Sequence, residues 1–193
     1  MPTLDVGHIG YTSGPVWARN EGFSIEVTGK ETHGAYPHSG IDAIVVASHI
    51  VQAFQPIPSR RIDAREACVV SIGTFRAGKS QNIVAPTATL TGCVRTLSDQ
   101  AAETALEEMK RLTESIGKAF GAQTTLQINP GARLTANHRE LETYVVQTLQ
   151  SKLPSTCLQP HEPQMGAEDF ASFSRRVPAC YLFLGVRNDT KGI

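Results

Sequence analysis

Residues 23–29 read Phe-Ser-Ile-Glu-Val-Thr-Gly, and this stretch decides the fold. Its apolar residues Phe23, Ile25 and Val27 alternate with polar ones, which is the period of a β-strand with one face buried. The strand is expected to end at Gly29, because glycine is a common residue of turns. The stretch therefore predicts the first strand of a sheet that has one apolar and one polar face.

Two helices are predicted to alternate with the strands of this sheet. The first begins at Asp42, whose carboxylate can cap it, and the two prolines at 56 and 58 end it. The second is capped by Ser98 or Asp99 and ends at Gly121. Both carry apolar residues at helical spacing, namely Ile44, Ala47, Val51 and Phe54 in the first and Ala105, Met109, Leu112, Ile116 and Phe120 in the second.

The order of elements is strand, helix, strand, strand, helix, strand. A run rich in Val and Ile predicts a strand over 68–75, alternation of Ala88, Leu90, Gly92 and Val94 predicts a third strand up to Thr96, and Leu126 and Ile128 predict a short fourth strand. This order is the split βαβ, or ferredoxin-like, arrangement, in which two helices cover one face of an antiparallel sheet. The sequence therefore predicts a complete small α+β domain over residues 20–129.

The remaining residues, 1–19 and 130–193, are expected to be parts of a second, incomplete α/β domain. Residues 1–19 are Gly-rich and predicted to be mostly irregular. Beyond Pro130-Gly131 a helix is predicted with Leu141, Val145, Leu149 and Leu153 toward the core, followed by a helical turn over 167–173. Residues 180–186 form a continuous apolar run, which predicts a strand buried on both faces. Such a strand needs more neighbours than these segments supply, so the first domain is interpreted as an insertion into the second.

Charge and composition exclude several classes of protein. The 193 residues contain 18 Lys and Arg and 18 Asp and Glu, and this zero net charge argues against a nucleic-acid partner. No apolar run is long enough to span a membrane and the start lacks the pattern of a signal peptide, so no membrane partner is expected. The four widely spaced cysteines are interpreted as buried apolar residues, with a disulfide framework or zinc cluster as the alternative, and they indicate a cytoplasmic protein.

His33 and His38 are the first candidates for chemistry. They lie in a turn-rich connection between the first strand and the first helix, where side chains can project into a cleft. A neutral imidazole at such a place can donate a hydrogen bond to a developing oxyanion or bind a metal. The alternative is a surface loop with two solvated histidines, and their spacing is not diagnostic of zinc.

Three further places carry candidate side chains. Asn82 precedes a strand, where its amide can bind a substrate carbonyl or simply form a turn. Arg95 ends a strand, where its guanidinium can hold a carboxylate or simply face solvent. The segment from Gly166 to Glu168 and Asp169 can line a cleft, or its carboxylates can favour the start of a helix.

Taken together, these motifs resemble the family of M20 metallopeptidases and amidohydrolases. Residues 29–38, Gly-Lys-Glu-Thr-His-Gly-Ala-Tyr-Pro-His, resemble its signature GKGGHAAxPH. The resemblance continues in the family's order through Ile41-Asp42-Ala43-Ile44, Ser59-Arg60, Val70-Ser71-Ile72-Gly73, Gly78, Asn82-Ile83-Val84-Ala85-Pro86, Gly92-Cys93-Val94-Arg95-Thr96-Leu97 and Met165-Gly166-Ala167-Glu168-Asp169-Phe170. It runs almost end to end and is similar to the subgroup of N-acyl-amino-acid amidohydrolases that includes hippurate hydrolases.

The resemblance implies a metal-dependent hydrolase that cleaves the amide bond of small N-acyl or N-aroyl amino acids. The ferredoxin-like domain is implied to be a lid that forms a homodimer, and residues 1–19 and 130–193 to be remnants of the catalytic domain. His33 is implied to reach across the dimer and stabilise the oxyanion of the tetrahedral intermediate. Asn82 and Arg95 are implied to contact substrate, Arg95 at its free carboxylate, and Gly166 and Glu168 to line the cleft.

One departure from the family concerns its divalent metal, zinc or manganese, and its general base. The residues that supply them in the family have no match here, because the sequence starts shortly after the position of one ligand and stops shortly before another. His8, His49, His138 and His161 match no ligand position. The chain by itself is therefore expected to bind no metal and to be inactive. A non-catalytic dimerisation or binding module derived from such an enzyme stays open as the alternative.

Overall fold

The computed structural model describes residues 1–192, apart from the side chain of Thr190. These residues form two compact units. The central unit is Asn20–Gly131, and the terminal unit combines Met1–Arg19 with Ala132–Ile193. Of the helices in the described part of the chain, none has both the length and the apolar character needed to cross a membrane.

Eleven strands and five α-helices can be assigned over residues 1–192. The strands are β1 (Ile9–Tyr11), β2 (Pro15–Trp17), β3 (Arg19–Thr28), β4 (Thr32–His33), β5 (Cys68–Ala77), β6 (Ile83–Val84), β7 (Thr87–Thr96), β8 (Gln123–Pro130), β9 (Thr135–Ala136), β10 (Leu158–Pro160) and β11 (Phe183–Leu184). The helices are α1 (Ala43–Phe54), α2 (Ile57–Arg60), α3 (Asp99–Phe120), α4 (Arg139–Lys152) and α5 (Ala171–Ser174). Short 3₁₀ helices cover Pro37–Ser39 and Asp189–Lys191.

The central unit has the predicted ferredoxin-like arrangement. Its four long strands lie in the order β5-β7-β3-β8. Of these four, β3 comes first in the chain and is interior, whereas β5 comes second and is at an edge. Strand β5 pairs antiparallel with β7 from Cys68 opposite Thr96 to Ala77 opposite Ala88. Strand β8 pairs antiparallel with β3 along the other side. This order confirms the α+β fold class expected from the sequence.

Helices α1 and α3 cover the apolar face of this sheet. Phe23, Ile25 and Val27 of β3 are buried in one cluster with the apolar faces of both helices, as the alternation predicts. Gly92 of β7 lies directly under this layer, because a Cβ there would come within 2.5 Å of the Phe23 ring and closer still to the Ser71 carbonyl. The opposite face of the sheet, which includes Arg95, carries mainly polar side chains.

The helix ends follow the predicted capping residues. The Oδ1 atom of Asp42 accepts a hydrogen bond from the Ile44 amide at 2.9 Å, and the Ser98 hydroxyl accepts one from the Ala101 amide at 3.2 Å. Asp99 is the first residue of α3 and not its cap. Gly121 ends α3 with φ of 71°, a left-handed conformation that glycine adopts without strain.

The terminal unit agrees with one prediction and differs from two others. Its N-terminal segment, 1–19, is mostly irregular as predicted, although it contains the short strands β1 and β2 and the start of β3. The run at 180–186 gives only the short strand β11, at the edge of a sheet ordered β10-β1-β11. Leu184 is 63% exposed while Phe183 is buried, because successive side chains of a strand point to opposite faces and only the face that carries Phe183 is covered by the described residues. In α4 the buried residues are Glu142 and Val146. The face predicted to point toward the core lies one position earlier, beginning with Leu141 and Val145, and it is only half-buried.

Candidate functional site

A small two-stranded ladder brings two of the candidate residues together. Strands β4 and β6 pair antiparallel, with Thr32 opposite Val84 and His33 opposite Ile83. The Gly34 amide then donates to the Asn82 carbonyl at 2.7 Å. This ladder follows the end of β3 and precedes the start of β7, so His33 and Asn82 share one corner of the sheet although they are far apart in the chain. We call the residues 32–36 and 80–83 the His33 corner.

Glycine at position 34 suits this close approach. A Cβ there would lie 3.1 Å from the Asn82 carbonyl oxygen, tighter than side chains normally allow. The chain then turns back through a hydrogen bond from the Tyr36 amide to the His33 carbonyl at 2.8 Å. The short helix at Pro37–Ser39 continues the turn and leads to the capped start of α1. The corner is therefore held by backbone hydrogen bonds on both sides.

The His33 side chain is exposed and has a defined partner at one nitrogen. Its Nδ1 atom accepts a hydrogen bond from the Ala35 amide at 3.1 Å. The ring of Tyr36, which is 60% exposed, lies next to it with its centroid 6.0 Å away. Since Nδ1 is an acceptor, the neutral imidazole carries its proton on Nε2. His33 can therefore donate to a ligand oxygen without first binding a proton.

Asn82 is also exposed, and its amide is held from the loop before β6. The Ser80 hydroxyl donates to Asn82 Oδ1 at 2.7 Å. The same loop begins at Gly78, whose φ of 76° needs glycine, and it carries Lys79, which pairs with Glu31 at 4.0 Å. The contact that Ser80 makes was missed in the sequence. The signal that could have found it is the Ser-x-Asn spacing, since serine hydroxyls commonly bond groups two residues away.

Arg95 lies at the other end of β7. It is eight residues beyond Thr87, where the strand begins, which is roughly 27 Å along a strand. It is half-buried, sits opposite Val69 of β5 and projects from the face that the helices leave uncovered. Within one central unit the fold therefore keeps Arg95 away from His33 and Asn82, although Asn82 directly precedes β6, the strand before β7 in the sequence.

Gly166 and Glu168 belong to the terminal unit. A Cβ at Gly166 would come within 2.6 Å of the Trp17 ring, and the Gly166 carbonyl accepts from the Ala18 amide at 2.9 Å. Glu168 accepts from the Asp169 amide through its own carboxylate at 3.1 Å. The helix that Glu168 and Asp169 were predicted to begin starts only at Ala171. These contacts anchor the segment to β2 and leave the role of Glu168 toward a substrate a prediction.

The remaining groups considered are side chains that could bind a metal and the cysteine thiols, which could act as nucleophiles. Within residues 1–192 no three His, Cys, Asp or Glu side chains come together as a metal site would require. The four cysteines are half-buried and unpaired with one another. Burial raises the pKa of the Cys68 and Cys180 thiols, which disfavours the reactive thiolate form.

Comparison with known proteins gives a consistent set of relatives. A family profile described as "Peptidase dimerisation domain" matches residues 20–120. Thermostable carboxypeptidase 2 of Saccharolobus solfataricus is 36% identical over 180 residues, which are 93% of this chain and 45% of that protein. N-acetyldiaminopimelate deacetylase of Brevibacillus brevis is 31% identical over 186 residues, 96% of this chain and 49% of that protein.

Solved structures give the same result. A protein of methicillin-resistant Staphylococcus aureus, proposed to be an aminohydrolase, superimposes with a TM-score of 0.92 at 32% identity, over 98% of this chain and 49% of its own. The Bacillus subtilis YXEP protein, described as a dinuclear metal-binding peptidase of the M20 family, superimposes with a TM-score of 0.78 at 27% identity. That match covers 96% of this chain and 46% of the YXEP chain. The present chain thus spans about half the length of the relatives that it matches.

Proposed function

The chain belongs to the M20 peptidase family, with that family's dimerisation domain as its central unit, and we propose that it is the dimerising and substrate-contacting part of an amidohydrolase. The substrate class is small N-acyl or N-aroyl amino acids. Two related proteins named as deacetylases of N-acetyldiaminopimelate and N-acetyl-L-cysteine support this class. The carboxypeptidases among the relatives support the chemistry, since they also cleave an amide bond.

The observation that carries the proposal is the arrangement of the His33 corner. Backbone pairing of β4 with β6 fixes His33 beside Asn82, and the Ala35 amide occupies Nδ1 of the ring. The Nε2–H group is then a neutral donor of the kind that stabilises the oxygen of a tetrahedral intermediate. A divalent metal, zinc or manganese, held by the rest of such an enzyme would activate the attacking water.

The separation between His33 and Arg95 supports a site that is built from two copies of the chain. In one central unit His33 lies in the β4–β6 ladder before the start of β7, whereas Arg95 lies eight residues beyond that start, which is roughly 27 Å of strand. A small N-acyl amino acid is far shorter than this distance. If both residues contact one substrate, then His33 and Asn82 of one copy must meet Arg95 of the other. The same reasoning makes the dimer a condition for activity.

The surface that we propose for dimerisation is the edge formed by β5. This strand has β7 on one side and no strand on the other within the described chain, so its outer backbone groups are available for pairing. Between β5 and α1 runs a groove of about 540 Å³, whose lining mixes apolar residues such as Val51, Val70 and Phe75 with polar ones such as Gln55 and Ser71. Phe75 is 42% exposed. A second copy of the chain is the occupant that the dimerisation-domain match supports.

Subunit complementation tests the proposal in the complete enzyme that contains this chain. The variants His33→Ala and Arg95→Ala should each lose most amidase activity as homodimers. After mixing and subunit exchange, one site in each heterodimer is intact, so roughly a quarter of the wild-type activity should return. No recovery despite verified exchange would show that both residues act in the same subunit and would contradict the two-copy site.

The alternative to an amidohydrolase with a site built from two subunits is a non-catalytic dimerisation or binding module. Full activity of the His33→Ala homodimer would favour that module over an amidohydrolase part. The purified chain, supplied with zinc or manganese, is expected not to hydrolyse N-acetyl or N-benzoyl amino acids. The compartment that we propose is the reducing cytoplasm, which the four unpaired cysteines support.

A further inference from the structure

In the His33 corner, the side chains of His33 and Asn82 each have one polar atom that accepts a hydrogen bond from a neighbouring residue of the chain. For His33 the occupied end is Nδ1, which accepts from the Ala35 amide at 3.1 Å. A backbone amide can only donate, so Nδ1 must be unprotonated and Nε2 bears the proton of the neutral ring. The outward end of His33 is consequently a donor.

For Asn82 the occupied end is Oδ1, which accepts from the Ser80 hydroxyl at 2.7 Å. An Asn amide has an acceptor oxygen at one end and an N–H₂ donor at the other. With its oxygen turned toward Ser80, the amide presents Nδ2 on its other side. Ser80, Asn82 and His33 are all exposed, so both donor groups are accessible to a ligand.

We propose that Ser80 is a positioning residue that holds the Asn82 amide with its N–H₂ group outward, so that the His33 corner presents N–H donors from two side chains to a negatively polarised ligand oxygen. An amide flipped end for end would replace one donor with a carbonyl oxygen, which repels the same ligand atom. A carboxylate or a carbonyl oxygen that gains charge fits such a pair of donors, whereas an ammonium group does not.

The identity of that oxygen rests on the proposed function. In an amidohydrolase it is the substrate oxygen that becomes an oxyanion in the tetrahedral intermediate. Donors that are already oriented need no reorganisation when the charge develops, so their effect is larger in the transition state than in the ground state. A residue that only fixes their orientation should therefore affect kcat more than KM.

The orientation itself is tested on the full chain without any reaction. Neutron diffraction from crystals of the deuterated chain locates the deuterium atoms of Asn82 and His33 directly. We expect deuterium on the outward amide nitrogen of Asn82, on the Ser80 hydroxyl that points at Oδ1, and on Nε2 of His33. Deuterium on the Asn82 atom that faces Ser80, or on Nδ1 of His33, would overturn the proposal.

Variants of the complete enzyme test the consequence for catalysis. Ser80→Ala should lower kcat by about tenfold with little change in KM, because the amide is then free to rotate. Ser80→Thr keeps the hydroxyl and should restore most of the rate. Asn82→Asp keeps an oxygen for Ser80 but turns a second, charged oxygen outward, and it should lower kcat by about 10²-fold or more.

Ser39→Ala is the matched control, since Ser39 lies in the neighbouring turn and bonds there through its backbone amide, which donates to the Tyr36 carbonyl at 3.0 Å. It should have wild-type kinetics. If His33→Ala abolishes turnover while Ser80→Ala behaves as wild type, the positioning role is wrong and the proposed function stands. If His33→Ala has no effect, the proposed function fails, and the diffraction result still decides the amide orientation.

Discussion

Glu108 shows how a single charged residue joins separate parts of the central unit. Its carboxylate lies mostly buried on α3 and accepts from Arg61, which follows α2, at 2.7 Å. It also accepts from Arg111, one turn further along α3, at 2.6 Å. These hydrogen bonds, those from Arg111 first and then those from Arg61, lower the pKa of Glu108 below its usual value. Two donors on one buried carboxylate satisfy a charge that would otherwise be costly to bury.

The lowered pKa of Glu108 gives this residue a pH-dependent contribution to stability. A carboxyl group whose pKa is lower in the folded than in the unfolded state stabilises the fold above its unfolded pKa. That contribution is lost as the pH falls from about 5 through the folded pKa. Glu108→Gln should therefore reduce the free energy of unfolding by about 1–3 kcal/mol at pH 7 and make the difference from wild type shrink in acid.

Urea unfolding of the full chain between pH 7 and pH 3 measures this contribution. Glu107→Gln is the matched control, since Glu107 is the more exposed neighbour on the same helix and should change stability by less than about 0.5 kcal/mol. Equal effects of the two substitutions would show that the contacts with Arg61 and Arg111 contribute nothing beyond surface charge.

At the scale of elements, helix α1 connects the His33 corner to the core. It begins shortly after Gly40 and buries Val46, Ile50 and Phe54 against the sheet. Its start is fixed by Asp42, whose side chain accepts from the Ile44 amide at 2.9 Å. The capping hydrogen bond satisfies one of the amides that the first turn of a helix leaves without a partner.

Removing this cap should destabilise the helix without altering its packing. Asp42→Ala is expected to lower the free energy of unfolding by about 1 kcal/mol, and Asp42→Asn, which keeps an oxygen at the same place, by much less. Thermal unfolding followed by circular dichroism compares the three proteins. If Asp42→Asn were as destabilising as Asp42→Ala, the effect would come from the charge and not from the capping hydrogen bond.

Strand β11 is an element that the sequence predicted correctly, while the burial of its side chains was not predicted. The apolar run at 180–186 predicted a strand, and a strand exists at Phe183–Leu184. Its predicted burial on both faces was wrong for Leu184, because burial depends on what packs over each face of the sheet. Sequence composition is a property of the segment alone, whereas burial is a property of the segment and its neighbours.

At the scale of the whole molecule, the relevant assembly is the proposed dimer through β5. Phe75→Lys would place a positive charge at the edge where two copies of β5 are proposed to meet, so the dimer should dissociate through repulsion and loss of apolar contact. Analytical ultracentrifugation of the full chain is expected to give a dimer for wild type and a monomer for this variant.

Phe120→Lys provides the comparison for the dimer test. Phe120 is 40% exposed, close to the 42% of Phe75, but it lies at the end of α3 against the ring of His49. This variant should remain dimeric. Dissociation by both variants, or by neither, would place the interface away from the β5 edge. A wild-type chain that stays monomeric at high micromolar concentration would count against the cross-subunit role of His33.

The sequence by itself determined the four long strands and two long helices of the central unit and their order, but not the short elements β4, β6 and α2. Periods of two residues in β3 and of three to four in α1 and α3 are local properties, and the caps Asp42 and Ser98 act within three residues. The motif around His33 and the motif around Asn82 could likewise be recognised as candidates, because each is a short run of residue types.

Only the tertiary structure decided which of those candidates meet. Pairing of β4 with β6 joins His33 to Asn82 from distant parts of the chain, and the length of β7 separates Arg95 from both. The contacts of Ser80 and Glu108 belong to the same category, since each depends on where a side chain is held by its partners. The spacing of apolar residues repeats over a few positions and can be seen in the sequence. Which distant residues come into contact depends on strand pairing and on packing between segments that are far apart in the chain.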